Sequence, residues 1–109
     1  MIIELDIIGG GKKAVTFRAP KQSACLDYTL TISGLQVEGD ASQVERLRSF
    51  RDAHRSAMAW LCEHTTDIDA DWLDANVATG DVLEAANQLL ASRNPSEVTV
   101  GKSDDGRDS

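Results

Sequence analysis

The stretch Val15-Thr16-Phe17-Arg18-Ala19-Pro20 marks the point where the chain changes from strand-like to helical patterning. Up to Phe17, apolar and polar residues alternate, as in a strand with one buried face. Pro20 disfavours a helical conformation at Ala19, so it separates the strand from the segment that follows. We place Pro20 in the first turn of a helix, where proline is common. The pattern predicts a short sheet followed by helices.

The residues before this junction predict an antiparallel β-hairpin. Residues 2–8 alternate, with the odd-numbered apolar side chains on one face. The glycines at 9–11 break the alternation, Lys12 and Lys13 continue the turn, and residues 14–18 form the second strand. Because two strands alone are marginal in water, we expect a helix or a neighbouring chain to cover the apolar face.

Helical patterning follows, with one ambiguous segment. Residues 21–32 have apolar spacing that allows a helix, but Tyr28 to Ile32 also alternates as a strand would. We predict a helix there and keep a third strand as the alternative. A connector that contains Gly34 and Gly39 comes next.

The longest predicted helix spans residues 43–63. Asp40 or Ser42 can cap its start, and Glu45 stands three residues after Ser42, as a capping box requires. Apolar residues recur along it at helical spacing and predict one buried stripe. That stripe comprises Val44, Leu47, Phe50 or Arg51, His54, Ala57 or Met58, and Leu61.

Two shorter helices complete the predicted domain. One spans 69–75, with Asp67 or Asp69 as its cap, and the other runs from a cap at Thr79 to about residue 92. The buried side of the last helix is predicted to consist of Val82, Leu83, Ala86, Leu89 and Leu90. The fold class is thus α+β, in one domain over 1–95: a hairpin at 2–18, packed on a small helical body at 20–92. Asn94-Pro95 stops the last helix, and the acidic tail 96–109 is predicted to be disordered.

Composition and charge exclude several classes of function. Only 5% of the 109 residues are aromatic, which leaves few large side chains to line a deep ligand pocket. The net charge is −7, and residues 63–109 hold eleven acidic against three basic side chains, so we expect no binding to nucleic acid. No apolar run is long enough to span a bilayer and no signal peptide is visible, which predicts no membrane association and a cytoplasmic location.

Candidate chemical motifs fail on spacing. The glycines at 9–11 precede a lysine pair, but a phosphate-binding loop needs Ser or Thr where Lys13 stands, followed by a helix. The acidic run from Asp67 has Trp72 where a calcium loop needs glycine. Cys62 and His64 lack a second ligand pair at zinc spacing. We therefore predict no catalytic residue, metal site or cofactor, and not an enzyme.

Several side chains are candidates for partner binding. Arg48, Arg51 and Arg55 lie three and four residues apart, hence on one helix face. They form either a solvated face or a docking stripe for an acidic partner, which includes the acidic half of a second copy. The other candidates are Phe17 and Arg18 at the junction, and the two tryptophans, Trp60 and Trp72. The tryptophans are expected to anchor the core or the packing between helices, with one of them as an exposed contact as the alternative.

The order of these elements resembles the tail assembly chaperones of long-tailed bacteriophages. In that family a short strand pair ending in an apolar-Arg-x-Pro segment precedes a small helical body, and Val15-Thr16-Phe17-Arg18-Ala19-Pro20 carries that likeness. Residues 60–73 and 79–83 are similar to the family's C-terminal helices. The match covers most of residues 1–92 and departs from the family at 21–40.

The resemblance implies a non-catalytic factor in the cytoplasm of the infected host cell. Such a protein would keep the long helical tape-measure protein soluble until tail tube subunits polymerise around it. The family often also makes a longer form by ribosomal frameshifting near the end of the reading frame, and the codons for Gly101-Lys102 are the candidate slippery site. A structural head–tail connector or other tail component, and a small regulatory binding protein, are the alternatives. Self-association through the open hairpin edge is also expected.

Overall fold

The N-terminal hairpin forms as predicted. A computed structural model describes residues 1–92, and in it β1 (Ile2–Asp6) pairs antiparallel with β2 (Lys12–Thr16). Ile3 lies opposite Val15, and both side chains are buried, as is Leu5. The period of two therefore identifies the buried face, and a one-residue slip would expose it.

The turn between the strands ends earlier in the chain than predicted. Gly9, Gly10 and Gly11 have φ values of +94°, +120° and +88°, a region that residues with a Cβ rarely adopt. The three glycines therefore complete the reversal, and the strand resumes at Lys12 rather than after Lys13. The ammonium of Lys12 lies 3.7 Å from the Asp6 carboxylate on the neighbouring strand.

The ambiguous segment is helical, which confirms the favoured prediction. The first helix, α1, spans Gln22–Ser33 and buries Cys25 and Tyr28. The placement of Pro20 in its first turn was wrong. Lys21 is the N-cap, with an extended backbone (φ −76°, ψ 154°), so the helix begins two residues after the proline. Pro20 is buried at the junction.

The second helix, α2 (Gln43–Cys62), begins with the predicted capping box. The Glu45 N–H donates to Ser42 Oγ at 3.1 Å, and the Ser42 N–H donates to Glu45 Oε1 at 2.8 Å. Both bonds satisfy donors that a helix N-terminus leaves without an intrahelical acceptor.

Substituting Ser42 with alanine is expected to fray the first turn of α2, because it removes the side-chain acceptor for the Glu45 N–H. We expect a loss of about 1 kcal/mol in local helix stability. Hydrogen exchange of the amides at 43–46 measures it. Ser33→Ala, near the exposed end of α1, serves as the control and should leave those amides unchanged.

Only the C-terminal half of the predicted α2 stripe is buried. Ala57, Met58 and Leu61 belong to the core, together with Trp60. In contrast, the side chains at the start of the stripe are exposed: Val44 by 56%, Leu47 by 58% and Phe50 by 51%. The prediction that they are buried was wrong, because within residues 1–92 no other element covers this end of α2.

The last two helices close the core. The short helix α3 (Ala70–Asn76) is capped by Asp69, whose Oδ1 accepts from the Trp72 N–H at 2.8 Å. The final helix α4 spans Thr79–Ala91. Its N-cap is Ala78, with extended backbone and no side-chain cap, so the prediction of Thr79 as the cap was wrong. On α4, the buried side chains are Val82, Ala85, Ala86 and Leu89, while Leu83 and Leu90 are half-buried.

The core lies where these elements meet. Helix α4 packs against both β1 and α2, and α1 packs on α2 from another side. The most completely buried large side chains come from the hairpin and its end and from α2, α3 and α4: Leu5, Val15, Phe17, Leu61, Leu73, Val82 and Leu89. Residues 1–92 thus form the predicted α+β arrangement. The predicted helix stop at Asn94-Pro95 and the predicted tail 96–109 lie outside the described residues.

Candidate contact surface

Two of the predicted contact residues lie in the core. Phe17 is 2% exposed and Trp60 is 3% exposed. The Trp60 indole stacks on Tyr28 with ring centroids 4.7 Å apart, meets the edge of His64, and donates from Nε1 to the Ala86 carbonyl at 3.2 Å. Side chains packed in this way hold the fold together, and neither is available to a partner.

Arg18 connects the hairpin to the loop after α2. Its guanidinium donates to the Glu63 carbonyl, and its backbone N–H donates to the His64 carbonyl at 2.7 Å. The same loop reaches the outer edge of β2 at Thr16. There the Thr65 hydroxyl donates to the Thr16 carbonyl at 2.7 Å, and the Asp67 carboxylate accepts from the Thr16 N–H at 3.0 Å. These bonds assign Arg18 a structural role.

The rest of the outer edge of β2 stays open. Met1 and Phe17 exchange both backbone hydrogen bonds across the sheet. In an antiparallel pair such bonded residues alternate with residues whose backbone N–H and C=O groups point away from the partner strand, so every second residue of β2 directs these groups outward. Ala14 is one of these, and its outward backbone groups have no hydrogen-bond partner within residues 1–92. Trp72 is half-buried beyond this edge, with the Lys13 ammonium 5.9 Å from its ring centroid.

The three arginines predicted to share one face of α2, Arg48, Arg51 and Arg55, are exposed. Arg51 lies 3.2 Å from the carboxylate of its neighbour Asp52, whereas Arg48 and Arg55 have no carboxylate within 4.0 Å among the described residues. The structure thus brings Arg48, Arg51 and Arg55 onto one free helix face, as the spacing predicts.

Exposed apolar side chains concentrate beside them. Nine large apolar residues are exposed within residues 1–92, and six of these fall between Leu26 and Phe50. On α2, Val44, Leu47 and Phe50 follow one another at intervals of three and form what we call the α2 strip. Val44 and Leu47 each stand four residues before an arginine, so the row of arginines borders the strip.

Helix length indicates from the sequence that one end of α2 extends past α4, but not which end. At 1.5 Å per residue, the 20 residues of α2 extend about 30 Å, whereas the 13 residues of α4 extend about 20 Å. One end of α2 must therefore project past the helix that packs on it. From the apolar spacing alone, the whole stripe on α2 was predicted to be buried. Spacing carries no information about where a neighbouring helix ends, so it could not show that the first part of the stripe is uncovered.

Thiol and imidazole groups are the side chains of this protein most suited to metal binding or nucleophilic chemistry. Within residues 1–92, no three His, Cys, Asp or Glu side chains are grouped as metal ligands would be. Cys25 is buried and Cys62 is half-buried, and neither forms a disulfide. Burial raises the pKa of the Cys62 thiol, and the nearby negative charge of Asp69 raises it further. A raised pKa lowers the thiolate fraction at neutral pH, which makes Cys62 a poor nucleophile.

Cys62 is therefore expected to react with a thiol-specific alkylating reagent more slowly than a free cysteine, and to reach its full rate only at higher pH. Asp69→Asn removes the charge and keeps a good N-cap for α3, so it should shift the pH–rate profile to lower pH. Burial remains in this variant, so the profile should stay above that of free cysteine. An unchanged profile would show that Asp69 does not act on the thiol. A Cys25→Ala background isolates the signal.

Comparison with known proteins yields no relative: no protein-family model, no curated protein and no solved structure matches the chain. Among the described residues, no helix combines the length and apolar character needed to cross a bilayer. The basis for a function is therefore the chain's own surface, together with the family resemblance of its sequence.

Proposed function

We propose that this protein is a non-catalytic tail assembly chaperone of a long-tailed bacteriophage, which binds the tape-measure protein in the cytoplasm of the infected cell during tail assembly. The observation that carries the proposal is the concentration of exposed apolar side chains on α1, α2 and their connector. A large apolar surface on a small protein is typical of a site that binds another macromolecule.

The chemistry of the proposed client agrees with this surface. A long helical protein that has not yet been enclosed exposes apolar helix faces, which aggregate unless they are covered. A chaperone that acts by reversible binding needs an apolar surface of its own and no reactive group. The α2 strip supplies such an apolar surface.

Further partners belong to the same proposal. The tail tube protein would displace the chaperone as the tube polymerises, and a frameshifted longer form of this chain would act beside it. Self-association is supported by the outward backbone groups at Ala14, since an open strand edge pairs readily with another strand.

Co-expression with the tape-measure protein of the same genome tests the proposal. We expect the tape-measure protein to be soluble and to co-purify with this chain, and we expect the chain to be missing from purified virions. A chain retained in finished virions would indicate a structural tail component instead. Tight, salt-sensitive binding to DNA, without any effect on the tape-measure protein, would indicate a regulatory protein.

A further inference from the structure

We propose that the α2 strip (Val44, Leu47 and Phe50), together with the bordering Arg48, Arg51 and Arg55, is a docking site for an amphipathic helix whose apolar face is flanked by acidic side chains. This inference rests on the proposed function and specifies the chemistry of the segment that is bound. It also assigns binding to α2 and not to the exposed apolar residues of α1 or the connector.

The strip is apolar, and its residues lie outside the buried core. Each of its side chains is more than half exposed, so burial in a complex would remove new apolar area from water. The capping box fixes the start of α2 just before Val44, which holds the strip on a regular helix rather than on a loose end. A preorganised surface loses less conformational entropy when it binds.

Charge determines what kind of apolar segment fits. Arg48 and Arg55 have no carboxylate partner within residues 1–92, and Arg51 pairs with its sequence neighbour Asp52. Basic side chains repel a helix with lysines at its flanks and attract one with glutamates or aspartates there. Arginine also forms paired hydrogen bonds with carboxylates.

A helix fits this surface better than a strand. The backbone groups of α2 are bonded within the helix, so the surface offers no edge to which an extended chain could add. Residues spaced by three and four form ridges that pack into the grooves of another helix. From Val44 to Arg55 the face extends about 16 Å, the length of roughly three turns.

A second copy of this chain matches the surface poorly. Two α2 faces brought together would place arginines against arginines. The acidic half of a second copy supplies carboxylates, but within residues 1–92 no large apolar side chain after Phe50 is exposed. Helix α1 does expose Leu26 and Leu30, yet Asp27 is its only carboxylate. A different chain that carries both features is the better occupant.

Two synthetic helices of about three heptads test the proposal. Both carry leucines along one face; one has glutamates at the flanks and the other has lysines. We expect fluorescence anisotropy to show binding of the glutamate peptide to the full-length protein, weaker as salt is raised. We expect at least about tenfold weaker binding of the lysine peptide. Equal binding of both peptides, or of neither, would overturn the proposal.

Matched variants locate the site. Leu47→Ala with Phe50→Ala, and the triple reversal of Arg48, Arg51 and Arg55 to glutamate, should each weaken binding about tenfold or more. One control should bind like the wild type: Leu26→Ala with Leu30→Ala, which removes similar exposed area from α1. The triple exchange of the same arginines to lysine keeps the charge and loses the paired hydrogen bonds, so its affinity should lie between those of the wild type and the triple glutamate variant. Circular dichroism verifies that each variant is folded. Loss of binding in the α1 variant alone would overturn the assignment to α2.

Two further outcomes separate this inference from the proposed function. If the glutamate peptide binds and the tape-measure protein does not, the phage function fails and the docking site stands. If the tape-measure protein binds equally well to the triple glutamate variant, the docking site fails and the function stands. Sedimentation velocity provides the remaining check, since a dimer that the triple reversal abolishes would make a second copy the occupant and overturn the proposal.

Discussion

Replacing Trp60 with alanine is expected to destabilise the fold by about 3–5 kcal/mol. The indole is almost fully buried, stacks on Tyr28 and donates to the Ala86 carbonyl, so its removal leaves a cavity between α1, α2 and α4. A domain of this size has a total stability of roughly 5–14 kcal/mol, and so the variant would lose a large share of it. Urea unfolding followed by circular dichroism measures the change.

A phenylalanine at position 60 provides the matched control. It retains an aromatic ring to stack on Tyr28 and loses the indole N–H with part of the volume, so its cost should be well below that of alanine. If Trp60→Ala cost less than about 1 kcal/mol, the side chain would behave as a surface residue. Its position at the centre of the helical packing would then be refuted.

Replacing Phe17 with alanine is expected to have an effect of similar size, about 3–5 kcal/mol, through a different part of the molecule. Phe17 is 2% exposed and its backbone exchanges hydrogen bonds with Met1, so it anchors the end of the hairpin to the helices. We expect hydrogen exchange in β1 and β2 to accelerate more than exchange in α4.

Phe17→Leu should retain most of the stability, at a cost under about 1.5 kcal/mol, because leucine fills much of the same volume. At temperatures where Phe17→Ala is still folded, its affinity for the glutamate-flanked peptide should match that of the wild type. A selective loss of affinity in a stable Phe17 variant would contradict the core role and return Phe17 to the contact surface.

The hairpin and the start of α2 could be predicted from the sequence, because each depends on residues close together in the chain. Alternation identified Ile3 and Leu5 as buried, and the Ser42–Glu45 spacing located the start of α2. The start of α4 was misplaced by one residue, because a threonine suited to capping lies just inside the helix that Ala78 begins. At 21–32 the local pattern favoured a helix and also allowed a strand. The stack of Tyr28 on Trp60 adds a contact between segments that no local pattern contains.

The candidate site was predicted only in part, for a related reason. Spacing correctly placed Arg48, Arg51 and Arg55 on one face, since that depends on helix geometry alone. Phe17 and Trp60 stayed among the contact candidates although both are buried, because an aromatic residue has the same spacing whether it faces a core or a partner. The exposure of the α2 strip depends on where neighbouring helices end, which is a tertiary property.

Hydrogen exchange of this protein, alone and in complex with its proposed partner, the tape-measure protein of the same genome, tests the central claim most directly. We predict a soluble complex in which exchange slows in the first three turns of α2, residues 43–55, while the hairpin is little affected. The same complex should form poorly with the triple glutamate variant of Arg48, Arg51 and Arg55. Failure of the complex to form, or protection confined to the hairpin edge with α2 unchanged, would contradict the claim.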